Sequence, residues 1–434
     1  MSRRHDIDAL RVLAFALLIF YHLGMLYVAP RSDWRGMPLH SAHMAQWLQY
    51  PMLFVNRWRM ELLFLVSGLA VHFMRDRTGL TGLARKRSLR LLVPLIFGML
   101  VVIPIQSYVT GLTDHMIAPG FDAFLVHYWT HDCRDYGLDW AHLWYLPYLW
   151  VYTMLLLPLL PALESRLGQR LRARFLRLRG ASLLVLPVLP LFAYGMLLSW
   201  RYPETHALVG DWYALALYAT MFFYGYLLGT DAALWAELAR LRHHSLALAL
   251  GCFALYLFLD KFAGQYIDPT IHNYAVLVVL KLLNVWLRYS YTWIAINAVL
   301  GWGHTLLDRP FRWLPYAREA VYPWYILHQS LLLFFAWQVM PHHLGPVAEP
   351  LLILLGTVAG CALLHECLIR RIRWLRPLFG LNPLSAPDLP EATSMLSAGV
   401  KQALDAGGLL PDASLSSAQS VPPSEAHAQV ITQA

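Results

Sequence analysis

The chain has 434 residues, 58% of them hydrophobic and 14% charged, with a formal net charge of +8. Soluble globular proteins carry about 25% charged residues, so this composition excludes an ordinary water-soluble enzyme. The basic residues lie in short clusters between apolar segments, a membrane-orientation pattern that argues against a nucleic-acid partner.

Apolar segments of membrane-spanning length recur near residues 9-28, 50-74, 90-110, 142-163, 181-200, 208-229, 245-262, 280-302, 318-340 and 348-369. They predict an all-α polytopic membrane protein, a bundle of about ten transmembrane helices. Segment 280-302 is the weakest, because Lys281, Asn284 and Arg288 sit in or beside it. Arg3 and Arg4 before the first apolar run mimic a secretory signal. That run is long, contains His22 and lacks a small-residue cleavage site, so a retained first helix is expected.

Lys and Arg concentrate in the even-numbered loops and the tail: Arg75 to Arg90, Arg166 to Arg179, Arg240 and Arg242, Arg309 to Arg318, and Arg370 to Arg376. The longest odd-numbered loop instead carries Asp114, Asp122, Asp132, Asp135 and Asp139. The positive-inside rule then puts both termini in the cytoplasm. After about Leu381 the composition turns to Ser, Ala, Pro, Gly and Gln, which bury too little apolar area to offset ordering entropy. Residues 1-380 read as the transmembrane domain and 381-434 as a disordered cytoplasmic tail. Cys133, Cys252, Cys361 and Cys367 have neither CxxC pairing nor ligand spacing, so no disulfide framework or metal site is expected.

The first helix holds Asp8, Arg11 and His22 in an otherwise apolar run. A charge inside a bilayer helix costs roughly 2.5 to 3.5 kcal/mol, so such groups face inward and serve function. Helical periodicity of about 100° per residue returns His22 to within about 20° of Arg11, and about 16 Å deeper, near mid-membrane. Asp8 is placed to pair with Arg11. The plainer alternative is an interfacial Arg11 and a His22 bonded to a neighbouring helix.

Glu61 on the second helix reaches a similar depth to His22. A carboxylate beside an imidazole is the arrangement of general-base activation of a hydroxyl, unless Glu61 pairs with Arg57 or Arg59. Ser67 and Gly68 suit close helix packing, and Ser67 lacks the partners of a nucleophile. Arg87 and Arg90 present two guanidinium groups on one face, fit for phosphates, or else serve only as orientation charge. His328 sits at mid-depth of the ninth helix as a lining or packed residue, and His142 opens the fourth helix toward an extracytoplasmic substrate. His342 with His343, and His365 with Glu366, lack metal-ligand spacing.

Six stretches stand in a telling order: Asp8-Ala9-Leu10-Arg11; Arg11 followed after ten residues by His22; Phe64-Leu65-Val66-Ser67-Gly68; Arg87-Ser88-Leu89-Arg90; His142-Leu143-Trp144-Tyr145-Leu146; and Tyr325-Ile326-Leu327-His328. Together they resemble the integral-membrane acyltransferase family 3 over about residues 5 to 380. His142-Leu143-Trp144, Gly301-Trp302-Gly303-His304 and Pro341-His342-His343 look most like members that succinylate osmoregulated periplasmic glucans. Glu61 departs from the pattern, since many members place a small or apolar residue there.

The resemblance implies an enzyme of the inner membrane that moves an acyl group, succinyl or acetyl, from cytoplasmic acyl-CoA to a hydroxyl of a periplasmic or surface glycan or glycolipid. It implies His22 as base, Arg11 as its supporting cation, Arg87 and Arg90 on the coenzyme's phosphates, and Ser67 and His328 along the channel. Asp8 and His142 join the channel, and Glu61 the catalytic group, on the reading of the residues themselves. No tightly bound cofactor is implied, and acyl-CoA is a substrate. The alternative is a transporter or flippase of a glycan or lipid. Such folds often carry inverted repeats with matching Gly or Pro breaks; those halves are not legible here, although Pro187, Pro190 and Pro323 leave room for breaks.

Overall fold

The computed structural model describes residues 4–29, 37, 39–229, 231–263 and 274–383. Arg3 and the expected tail beyond Pro383 lie outside the described residues. Apolar segments in a bilayer must satisfy their backbone groups internally, which favours helix throughout. No strand forms among the described residues; one isolated bridge joins Asp132 and Leu138.

In chain order the helices are α1 (His5–Met25), α2 (Gln49–Phe97), α3 (Ile103–Thr113), α4 (Phe121–Thr130), α5 (Tyr145–Glu164), α6 (Arg166–Leu176) and α7 (Ala181–Val185). They continue with α8 (Val188–Leu197), α9 (Trp212–Leu228), α10 (Ala232–Phe258), α11 (Tyr274–Leu307), α12 (Leu314–Val339), α13 (Ala348–Leu363) and α14 (Leu375–Leu378). Every apolar segment read from the sequence falls on a helix. Segments 50-74 and 90-110 both begin within α2, which is broken between them at Gly79, where φ is 67°. Only glycine adopts that left-handed conformation freely.

By length and composition five of the described helices can cross a membrane: His5–Met25, Gly79–Thr113, Ala141–Glu164, Ala232–Lys261 and Ala348–Ile369. A sixth is reached if Arg166–Leu176 and Ala181–Leu197, bent by 110°, form one span. The other segments differ for a physical reason. Trp212–Leu228 is short, and the first half of α2, α11 and α12 carry polar side chains that line a cavity between the helices.

Helix α1 is central, packed against α2, α11 and α12. Its Ile7, Leu10, Phe15 and Leu18 are buried in the main core. Helices α2 and α9 meet through glycine: a Cβ on Gly68 would stand 1.8 Å from the Phe222 carbonyl oxygen, and one on Gly225 1.8 Å from that of Leu65. Close backbone approach of this kind needs small residues. Within α2, Pro94 has no N–H for the Arg90 carbonyl one turn back. The Tyr322 hydroxyl of α12 donates to that carbonyl at 2.9 Å, tying the two helices together.

Side-chain contacts link the basic loops to one another. Arg4 meets Asp6 at 2.6 Å and lies 3.9 Å over the Trp235 ring, while His304 bonds Asp6 at 2.9 Å. Arg318 meets Asp8 at 3.6 Å, and Arg370 and Arg376 both meet Glu319 at 3.4 Å. Arg75 pairs with Glu164, and Glu237 accepts from the Gly180 amide at 2.7 Å. Arginine clusters far apart in sequence thus share one surface.

Candidate active site

A cavity of about 980 Å³ lies among α1, α2, α9, α11 and α12 and the segments at 133–142 and 199–207. Phe15, Leu18 and His22, three and four positions apart, form the stripe of α1 that faces it. Glu61 enters from α2, His328 from α12, and His142 from the short 3-10 turn Ala141–Trp144 before α5.

The three imidazoles form one cluster. The His328 ring centroid lies 5.4 Å from that of His22 and 5.2 Å from that of His142. His142 Nε2 stands 3.2 and 3.1 Å from the carbonyl oxygens of Tyr325 and Ile326, and its Nδ1 stands 3.2 Å from the Gln106 amide nitrogen. Carbonyls only accept, so Nε2 carries the hydrogen and the Gln106 amide donates to Nδ1. His328 Nδ1 stands 2.7 Å from the Tyr325 oxygen and donates to it, leaving Nε2 as its acceptor nitrogen.

Beside this cluster Arg59 is 2% exposed, with its guanidinium 4.1 Å over the Tyr21 ring. Its Nε and Nη1 have no hydrogen-bond partner among the described residues. A buried cation with unused donors is a site for an anion, because such donors are costly to leave unmet. Glu61 lines the same cavity, but its electrostatic neighbours are Glu204, Arg288 and Arg57, and it forms no hydrogen bond with His22. Glu61 and His22 thus line one cavity without a hydrogen bond between them.

Arg11 keeps the expected pairing with Asp8, at 3.3 Å. It belongs to a second, cationic group: Arg87 is buried, Arg90 exposed, and the charges of Arg90 and Arg11 both reach Arg87. Arg87 Nε and Nη2 have no hydrogen-bond partner among the described residues. The Phe15, Tyr145 and Tyr325 rings pack into an aromatic partition with centroids 5.1 to 6.2 Å apart; Tyr325 lies 5.9 Å from His142 and 6.1 Å from His328, and the charges of Arg87 and Arg11 reach Tyr145. Ser67 reaches this partition by a 2.5 Å hydrogen bond to the Tyr145 hydroxyl and does not itself line the cavity; nor does Asp8.

The loop between α8 and α9 forms the other wall. His206 stacks on Trp144 at 3.9 Å, and Glu204 accepts from His206 at 2.9 Å and from the Tyr218 hydroxyl at 2.5 Å. Burial pushes the Glu204 carboxyl up, but its bonds to His206 and Tyr218 and the His206 and Arg288 charges prevail and hold it at about 2. Sequence reasoning passed over Glu204, His206 and Gln106 entirely. Arg288 had left a signal, since it was the charge that made segment 280-302 look unfit to span. Asp6, His304 and Asp308 bring ligand-type atoms within 4.8 Å of one another, but the Arg4 guanidinium already occupies Asp6.

A family model described as an acyltransferase domain matches residues 4–366, which include every cavity residue named above. The proteins named Glucans biosynthesis protein C from Escherichia coli K12 and from Escherichia coli O81 (strain ED1a) are each 23% identical to this chain over 398 residues. The match covers 88% of this chain and 96% of theirs. No solved structure matches the chain. With imidazoles gathered on a cavity inside an apolar helical bundle, and with that match over most of its length, the chain belongs to this acyltransferase family and is a multi-pass membrane acyltransferase.

Proposed function

We propose that this enzyme takes an acyl group, succinyl or acetyl, from cytoplasmic acyl-CoA and places it on a hydroxyl of a periplasmic or surface glycan. In this reading it is an inner-membrane protein of about ten spans with both termini in the cytoplasm, as loop charge argues. The observation that carries the reading is His22, half-buried on the wall of an intramembrane cavity. An imidazole there can take the proton of an acceptor hydroxyl while its oxygen attacks the thioester carbonyl. The C–S bond breaks, and the proton returns from His22 to the departing thiolate.

The buried Arg87 donors, with Arg90 and Arg11 beside them, suit the phosphates of a coenzyme A thioester. Pantetheine would then pass the Phe15, Tyr145 and Tyr325 partition to bring its thioester to His22. The unused Arg59 donors suit a carboxylate at the far end of the acyl chain and favour succinyl over acetyl. Similarity to proteins named for glucan biosynthesis supports a glucan-type acceptor.

Mass spectrometry of periplasmic and surface glycans tests this, comparing cells with the gene, without it, and with His22→Ala. The expected result is loss of one defined acyl mass in both altered strains, with normal accumulation of the variant protein. Glycans that stay acylated but collect on the wrong side of the membrane would replace this reading with a transporter or flippase.

A further inference from the structure

The cavity holds a second polar group, apart from the imidazoles. Glu61 is 7% exposed and lines the cavity, yet its Oε2 is buried without a hydrogen-bond partner among the described residues. Orphaned buried polar atoms are rare, and an ionised carboxylate only accepts, so this oxygen calls for a donor from a ligand. The charges of Glu204, Arg288 and Arg57 reach Glu61. Arg288 is half-buried and donates to the Tyr213 hydroxyl at 3.4 Å, while Arg57 donates to that of Tyr256 at 3.0 Å. Two carboxylates and two guanidinium groups leave this part of the cavity balanced in charge.

The loop that brings Glu204 here is held by its backbone. His206 and Leu208 adopt the left-handed conformation, with φ of 59° and 63°. Such backbone is costly for residues other than glycine and persists where its surroundings over-determine it. The fully buried Asp211 accepts from the His206 amide at 2.9 Å and from the Tyr148 hydroxyl at 2.5 Å, and that hydroxyl accepts from the Leu208 amide at 3.0 Å. Glu204 is thereby set on the cavity wall and His206 on the Trp144 ring.

Position and chemistry point to one class of ligand. The segments at 133–142 and 199–207 fall at odd-numbered loops, so the proposed topology puts this wall on the periplasmic side, opposite Arg87 and Arg90. The Arg59 charge reaches both Glu61 and His22, so the group adjoins the imidazoles. An anion gains little from a group of balanced charge. A sugar matches it, because each hydroxyl both donates and accepts and can serve a carboxylate and a guanidinium together.

We infer that Glu61, Glu204 and Arg288 form the binding subsite of the acceptor sugar, with the Glu61 carboxylate accepting from one of its hydroxyls. The inference deepens the acyltransferase reading and rests on it, and its test separates the two. The full chain is purified in detergent and assayed with succinyl-CoA or acetyl-CoA, whichever the wild type uses, and an extracted periplasmic glucan fraction as acceptor, each varied in turn. For Glu61→Leu the expected result is a KM for the glucan at least about tenfold higher, the loss of one hydrogen bond to a charged group, with KM for the acyl-CoA within about twofold of wild type. If Glu61→Leu fails to fold, Arg288→Gln takes its place with the same expectation.

A glucan KM within about twofold of wild type overturns the inference. An equal rise in both KM values overturns it too, since that marks a general loss of structure, as does a fall in kcat alone, which gives Glu61 to the catalytic group. A wild type inactive with both donors, or a fully active His22→Ala, refutes the acyltransferase mechanism itself. An active wild type with a dead His22→Ala and an unchanged glucan KM in Glu61→Leu refutes only the subsite.

Discussion

Arg59 sits beside the imidazoles with two donors unused, and this fixes what its loss does. Losing a charged hydrogen bond to a bound carboxylate costs about 2 to 5 kcal/mol, or roughly 30-fold and more in binding. Arg59→Gln is therefore expected to raise KM for succinyl-CoA at least tenfold and leave that for acetyl-CoA within about twofold, in steady-state assays with each donor. A carboxylate of a different kind, Glu204, stands on the wall formed by the loop between α8 and α9. Glu204 is held at about 2, below its ordinary 4.5, so the ionised form stabilises the folded loop above about pH 4.5. That contribution is lost as pH falls toward 2. Emission from Trp144, against which His206 stacks, is expected to show an acid transition in that window, and Glu204→Gln to abolish the Glu204-dependent part. The pairing of Asp8 with Arg11 was legible beforehand, because both lie on one helix with known spacing. Arg57 near Glu61 was legible for the same reason, whereas Arg288 near Glu61 and Tyr218 on Glu204 were not, because they come from other helices.

Helix α2 carries two different duties on either side of Gly79. Its first half supplies Arg57, Arg59 and Glu61 to the cavity and closes on α9 through Gly68 and Gly225. A methyl group at Gly225 meets a backbone carbonyl at 1.8 Å, so α2 and α9 must separate. Gly225→Ala is expected to destabilise the protein by about 1 to 3 kcal/mol, the usual range for overpacking, read as a lower Tm in detergent. Gly251→Ala, with nothing within 4 Å, is the control and should be neutral or slightly stabilising. The second half supplies Arg87. Arg87→Ala is expected to raise KM for acyl-CoA about tenfold with little change in kcat, and an unchanged KM would return Arg87 to orientation charge alone. Hydrophobic length located these helices well. It also placed a break between residues 74 and 90, where Gly79 lies, but did not show that helix runs on both sides of that single glycine, because run length marks the apolar segments and not the helical turns between them.

The whole bundle joins a cationic surface, an aromatic partition and an imidazole cavity in series. The proposed topology puts the exposed Cys133 on the periplasmic side and the exposed Arg309 in the cytoplasm. A membrane-impermeant maleimide on intact cells should label Cys133, whereas Arg309→Cys should react only after permeabilisation; the reverse pattern would invert the topology. Composition and apolar run length by themselves determined a helical membrane protein, since a bilayer leaves the backbone few other ways to satisfy its hydrogen bonds. Periodicity also determined that Arg11 and His22 share a face, since both belong to one rigid helix. Only the tertiary structure decided that His328 rather than Glu61 stands against His22, and that Arg59 stands beside them. Depth along a helix follows from counting residues, but the rotation of one helix against another is set by packing, here by glycine contacts and inter-helix hydrogen bonds far apart in the chain.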